Sequence, residues 1–298
     1  MKRTKMKRTK RVLGLALAAV MCMGMLANSD TAYAASGTET SEKVLNIATI
    51  GETTTLSPLY MIADNRPTQK LLYEGLVKYV DGEIQPVLAE DWELSEDGTQ
   101  LTFYLRQGVT FHDGEPFNAE AAIANIEAWH INPSFTALPG VVNYTNIEAV
   151  DEYTIRLTYD TPYFAYINDF CWPDVCTMIS PKLITQGDFQ TVNGYAGTGP
   201  YIYDEYVAGQ YTTFVRNENY WGEQPYYDKI VAKYIPDNAS RVQALQTGEI
   251  DLIYGSAQLS YEDYNQATAI EGIEGKFAPY GSTIRNIILN FNGNLADL

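Results

Sequence analysis

One long apolar run occurs in this chain, and its position decides what the remainder can become. Val12 to Ala27 is 16 residues without a charge. Seven basic residues stand among the eleven before it (Lys2, Arg3, Lys5, Lys7, Arg8, Lys10, Arg11), and Ala32-Tyr33-Ala34 follows. A basic start, an apolar run and a small-x-small end spell a secretory signal, with cleavage expected after Ala34. The run is short for a stable span, and no later stretch approaches the ~18 apolar residues a membrane helix needs. Residues 1–34 therefore read as a signal peptide and 35–43 as a flexible start, and the body must build its core from short periodic segments. Export to a periplasmic, extracellular or cell-surface location is expected. Cys22 does not support a lipid anchor. Ala19, Val20 and Met21 precede it, where an attachment box places Leu three residues earlier and a small residue just before the Cys.

Charge narrows the function classes. The formal net charge is −17 over 298 residues. Without residues 1–34, 13 basic residues face 36 acidic ones, a balance of −23. Such a body repels a phosphate backbone and anionic lipid heads, which excludes nucleic acid as a partner. The 23 tyrosines suit a binding surface, since Tyr carries a flat apolar face and a hydroxyl at low rotamer cost; strand-rich cores use them too. Cys171 and Cys176 are too few for a disulfide scaffold. Five apart on an extended segment they face opposite ways, so a bridge needs a turn that Pro173 could supply; their redox state stays open.

Periodicity mixes strands and helices without strict alternation, a mixed α/β to α+β class. Val44 to Ile50 alternates as a strand, and Gly51 to Pro58 reads as a loop. From Asp64 the spacing predicts a helix whose stripe is Leu71, Leu72, Leu76 and Val77. Strands are predicted at 101–105, 201–206, 212–216, 230–235 and 250–254, with a hairpin around Asp151-Glu152. Asn118 is expected to cap a helix from Phe117 to Trp129, and Ser240 one ending at Gly248. Residues 181–184 read as a short helix.

Enzyme readings find no footing. The two histidines, His112 in a turn-like loop and His130 at a helix end, read as structural, the first as exposed. No His-x₃-His, Cys-x₂-Cys or calcium-loop spacing occurs, so neither a metal nor another cofactor is implied. Gly194-Tyr-Ala-Gly197-Thr-Gly199 leads into a strand rather than a helix, so it is no phosphate loop. A hydrolase using an acidic pair is the alternative of another class; with this many acids, pairs such as Glu90/Asp91 arise by chance.

Several local motifs occur in a telling order. Leu72-Tyr-Glu-Gly-Leu-Val77 and Pro86-Val-Leu-Ala-Glu-Asp-Trp92 come first, then Leu94-Ser-Glu-Asp-Gly98 and Leu101-Thr-Phe-Tyr-Leu-Arg106, continuing into Phe111-His-Asp-Gly-Glu-Pro-Phe117. Later come Gly197-Thr-Gly-Pro-Tyr201, Arg216-Asn-Glu-Asn-Tyr-Trp221-Gly222 and Ala244-Leu-Gln-Thr-Gly248-Glu-Ile-Asp251. From Val44 to Leu298 the chain resembles the family 5 extracellular solute-binding proteins of ABC importers, which carry peptides, nickel chelates and related solutes. The motif residues themselves read as scaffold, with Gly98 and Gly114 in turns and Trp92 and Trp221 burying aromatic area.

The resemblance implies a periplasmic-binding-protein-like type II fold, two lobes closing about a hinge on a solute that touches both. Residues 44–75 and 186–255 would form the core of lobe I, 76–185 an insert subdomain, and 256–298 the start of an incomplete lobe II. By position in the family, Tyr60, Met61, Asn65 and Arg66 border the ligand site, as do Trp172, Asp174 and Thr177, and Tyr254 lies at the hinge. Asp174 could receive a peptide amino group. The Phe214–Glu223 motif resembles the nickel-chelate branch, which holds an anionic chelate on lobe I arginines. No arginine stands in 172–177 or between Arg106 and Arg156, and an acidic lobe receives an anionic chelate poorly. A monomeric receptor for small peptides, serving a membrane permease and its ATPase, is the expectation, with a nickel chelate as the alternative.

Overall fold

A computed structural model describes residues 42–60, 66–172, 175–185, 189, 192–254 and 259–275. Residues 1–34, expected to be a signal peptide, and Met61, Asn65 and Asp174 lie outside them. The chain opens with β1 (Val44–Thr49) and α1 (Arg66–Leu72). A ribbon of β2 (Val77–Val80) and β3 (Glu83–Pro86) follows, then β4 (Ala89–Leu94) and β5 (Gln100–Leu105). Next are α2 (Ala119–His130), α3 (Pro139–Val142), β6 (Tyr144–Asp151), β7 (Thr154–Tyr159) and α4 (Tyr166–Phe170). The last part holds β8 (Tyr201–Val207), β9 (Tyr211–Arg216), β10 (Lys229–Tyr234), α5 (Asn238–Gln246), β11 (Leu252–Ile253) and α6 (Tyr261–Thr268). No helix among the described residues is long and apolar enough to cross a membrane.

Two sheets carry the architecture. The first has the order β11-β1-β10-β9-β8, with β1 parallel to both β10 and β11, and β9 antiparallel to its neighbours. Alternation along β1 explains its position. Leu45 and Ile47 face a cluster with Leu72, Tyr73, Phe214 and Ile230, while Ala48 faces Ala244 and Ile250. A strand buried on both faces sits in the middle of a layered α/β unit, with α1 on one side and α5 on the other.

The second sheet, β4-β5-β7-β6, is antiparallel throughout. Leu101, Phe103, Leu105, Ile155 and Leu157 point from it into the largest core, against Ala122, Ile126 and Trp129 of α2. Phe103 meets Phe170 of α4 edge-on at 5.0 Å. The other face carries Tyr104 and the Arg156–Glu148 ion pair, so one side is dry and one wet. Asn118 caps α2 as expected, its side chain accepting from the Ala121 N–H at 3.0 Å. Asn118→Ala is expected to cost ~1 kcal/mol, read as a lower denaturation midpoint at unchanged slope.

Three local readings are corrected. The stripe Leu71–Val77 is not one helix. α1 stops at Leu72, Gly75 bridges Thr177, and Val77 opens a ribbon whose turn, Asp81-Gly82, has φ of 52° and 91°. Positive φ at both positions is the turn that closes a two-residue hairpin, so the Asp-Gly pair was the sequence signal missed. The cap of α5 is Asp237, which accepts from Ser240 N–H at 2.8 Å, rather than Ser240 itself. The last strand shrinks to Leu252–Ile253, because Ile250 is drawn under α5 by its N–H bond to the Ala244 carbonyl.

Candidate functional site

Parallel strands deliver their following loops to one edge of a sheet, which is where ligands of such sheets bind. Here that edge receives residues 50–60 after β1, the β8–β9 turn, Ile235 after β10 and Tyr254 after β11. Ile235 N–H donates to Thr49 O at 3.0 Å and Tyr234 N–H to Gln210 O at 2.8 Å, which ties these exits together. The loop after β1 is anchored from several sides. Ser57 Oγ donates to Phe189 O at 2.7 Å, Gln69 Nε2 to Ser57 O at 2.8 Å and Asn132 Nδ2 to Leu59 O at 2.7 Å. A loop held this way presents the half-buried Tyr60 from a fixed position.

The other nominated residues lie as follows. Arg66 begins α1, and its side chain lies outside the described residues. Tyr254 is 47% exposed at the sheet edge, and Trp172 is 47% exposed just past α4. Thr177 is held by its backbone, bridging Gly75 and donating to Val175 O at 2.9 Å. Among the described residues no ring contact joins Tyr60, Trp172 and Tyr254. Cys171 and Cys176 beside Trp172 are unbridged and buried. Burial pushes both thiols up, Cys171 to about 11, which leaves them unreactive.

One carboxylate at this edge escaped the sequence reading. Glu52 accepts from the Tyr206 hydroxyl at 2.6 Å and the Gly209 N–H at 2.5 Å, clamping the loop after β1 to the β8–β9 turn. Those two donors, the hydroxyl first, hold its carboxyl below the usual range. The edge therefore keeps its negative charge to lower pH than an ordinary glutamate would.

The motif residues converge elsewhere, on the crossing between the two sheets. Glu74 accepts from Tyr220 Oη at 2.7 Å, Trp221 Nε1 at 2.8 Å and Thr198 Oγ1 at 2.9 Å. Arg106, at the end of β5, lies over the Trp221 ring at 4.5 Å. Asn125 inside α2 both donates to Ile179 O and accepts from Ile179 N–H. His112 is half-buried and bonded to Gly197 and Gly199. The exposed-loop reading of His112 is thus wrong, for the Gly-Thr-Gly loop folds over it. Four motifs far apart in sequence meet here, so their spacing could not reveal the joint.

With the two sheets and their joint in place, likeness to known proteins can be placed on the chain. Residues 83–297 match the family described as bacterial extracellular solute-binding proteins, family 5, middle region. The chain belongs to this family. It is 39% identical over 209 residues to the nickel-binding periplasmic protein of Escherichia coli K12, covering 68% of this chain and 40% of that protein. Among solved structures, NikA from Brucella suis in complex with Fe(III)-EDTA superposes with a TM-score of 0.70 at 33% identity, over 76% of this chain and 46% of that one. DppA from Helicobacter pylori in complex with the peptide STSA gives 0.66 at 27%, over 76% and 49%. The chain thus spans less than half the length of these relatives, and its fold is the periplasmic-binding type II fold as far as it extends.

Family membership turns attention to the cations available for a ligand. Arg106 pairs with Glu90 at 3.1 Å and donates to Val87 O at 2.9 Å. Arg216 holds Asp228 and Glu218 at 2.5 and 2.9 Å, and Arg241 is buried against Ile235 O and Asn238. Arg156 is 3.8 Å from Glu148. Every arginine whose side chain is described is thus committed within the body. No group of three or more His, Cys, Asp or Glu among the described residues is placed to hold a metal ion.

Proposed function

We propose that this chain is part of the substrate-binding component of an ABC importer, an exported, non-catalytic and monomeric receptor. It captures small peptides outside the cytoplasm and passes them to a membrane permease and its ATPase. The observation that carries the peptide reading is electrostatic. The sheet edge holds the ionised Glu52 while each described arginine is engaged elsewhere, an arrangement that favours an ammonium over a multiply anionic chelate. In this reading lobe I comprises 44–75 and 186–255 with the insert 76–185, and lobe II begins at 256. Tyr60, Met61, Asn65, Arg66, Trp172, Asp174, Thr177 and Tyr254 line its side of the cleft. The 39% identity to a nickel-binding protein favours a second reading, a nickel chelate as ligand.

Calorimetric titration of the full-length mature protein separates them. Heat with di- or tripeptides supports the first reading, and binding of a nickel–histidine complex with no response to a peptide library overturns it. Trp172 is 47% exposed, so Trp172→Ala is expected to leave the thermal midpoint unchanged. It should weaken peptide binding at least about tenfold, as loss of an aromatic anchor does. Unchanged affinity would remove Trp172 from the site.

A further inference from the structure

The loop Gly197-Thr198-Gly199, which leads into β8, is gripped by two titratable side chains. On one side, Thr198 Oγ1 donates to Glu74. On the other, both ring nitrogens of His112 are committed. Nδ1 accepts from Gly197 N–H at 3.2 Å, and Nε2 is 2.9 Å from Gly199 O. The main chain adds a third link, His112 N–H to Gly197 O at 2.9 Å. A carbonyl on one nitrogen and an N–H on the other leave a single solution, the neutral imidazole with its proton on Nε2. A second proton has to enter at Nδ1, where an N–H already points at it. Protonation and the Gly197 bond exclude each other.

The charged surroundings do not reverse this. Asp113 adjoins the ring in sequence, Glu115 of the same turn is paired with Lys182, and Glu74 is reached only through Thr198. Burial pushes the imidazole below its ordinary value, against the opposing pull of the Gly199 carbonyl, Asp113 and the Tyr195 backbone.

We propose that His112 is an acid-loosened latch between the four-stranded and five-stranded sheets, in which protonation of Nδ1 breaks the Gly197 N–H bond and leaves loop 197–199 tied to the turn at 111–114 only by the Nε2–Gly199 and main-chain His112–Gly197 links. The sign follows from linkage. A released imidazole takes its proton near the ordinary value of about 6.5, and the latched one only below it. The latch is therefore at full strength above that pH and weakens as pH falls beneath it.

The test uses the full chain labelled with ¹⁵N. It has two histidines, so the imidazole spectrum is simple, and His112→Gln assigns the signals. At pH 7.5 His112 is expected as the Nε2–H tautomer. On going from pH 7 to pH 5 the hydrogen-exchange protection of the Gly197 amide should fall by up to about tenfold per pH unit, the limit for one linked proton. That fall should be absent in His112→Gln and retained in His130→Gln. An Nδ1–H tautomer, or Gly197 protection that stays constant from pH 7 to 5, overturns the proposal. Both of these are wild-type measurements, so they decide it even if His112→Gln fails to fold.

Discussion

Replacing Gly197 by Ala is expected to destabilise the chain by roughly 3 kcal/mol or more, at or beyond the upper end for an overpacked methyl. A Cβ at this position would fall on the carbonyl oxygen of Leu72 and 2.6 Å from Tyr73 Cδ1. Neither can give way cheaply. Leu72 ends α1 and is fully buried, its carbonyl accepts the Gly199 N–H at 2.9 Å, and Tyr73 is packed in the same core. The loop cannot back away either, because His112 holds it from the far side. Chemical denaturation measures the loss. A cost below about 1 kcal/mol would mean that α1 and the loop slide apart, and that the joint is looser than its contacts indicate.

The second large effect is expected at Glu74. Glu74→Ala removes the acceptor of Tyr220 Oη, Trp221 Nε1 and Thr198 Oγ1 together. Each part-buried donor left without a partner costs about 1–3 kcal/mol, so a loss of at least ~3 kcal/mol is expected. Glu74→Gln should cost within about 1 kcal/mol. Its carbonyl can accept from Trp221 and Thr198, and its amide can donate to the Tyr220 oxygen. Equal losses for the two variants would show that the side chain's bulk matters and its acceptors do not.

The same pair carries a pH signature. Burial holds the Glu74 carboxyl above its ordinary 4.5, although three donors pull it down. The folded chain then keeps a proton that the unfolded chain has already released. This group's contribution to stability is greatest below 4.5, declines as pH rises through the folded value, and is constant beyond it. Glu74→Gln is expected to remove that decline from the stability profile. The trend is opposite in sign to that of His112, and Glu74→Gln and His112→Gln each remove one of them, so the two are separable.

Much of the fold was legible because it rests on local rules. The alternation of β1, the cap at Asn118, the hairpin around Asp151-Glu152 and the β8–β9 pair all follow from period, capping and turn chemistry within a few residues. Legibility failed where a neighbour distant in sequence decided. Leu76 and Val77 fit a helical stripe, yet backbone pairing of Gly75 with Thr177, some hundred residues on, ended the helix first. At the proposed site, Trp172 and Tyr254 were nominated by position in the family and are both exposed, whereas Glu52 looked like one acid among many until Tyr206 and Gly209 were brought to it.

By itself the sequence determined the acidic body, the mixed α/β class and the family, since each depends on composition, local period or motif order. Tertiary structure alone decided what the motif residues do. Glu74, His112, Thr198 and Trp221 are unremarkable apart, and their role as a joint exists only once two sheets fold against each other. Burial then makes each hydrogen bond at that crossing obligatory and moves the acid–base properties of its two titratable members.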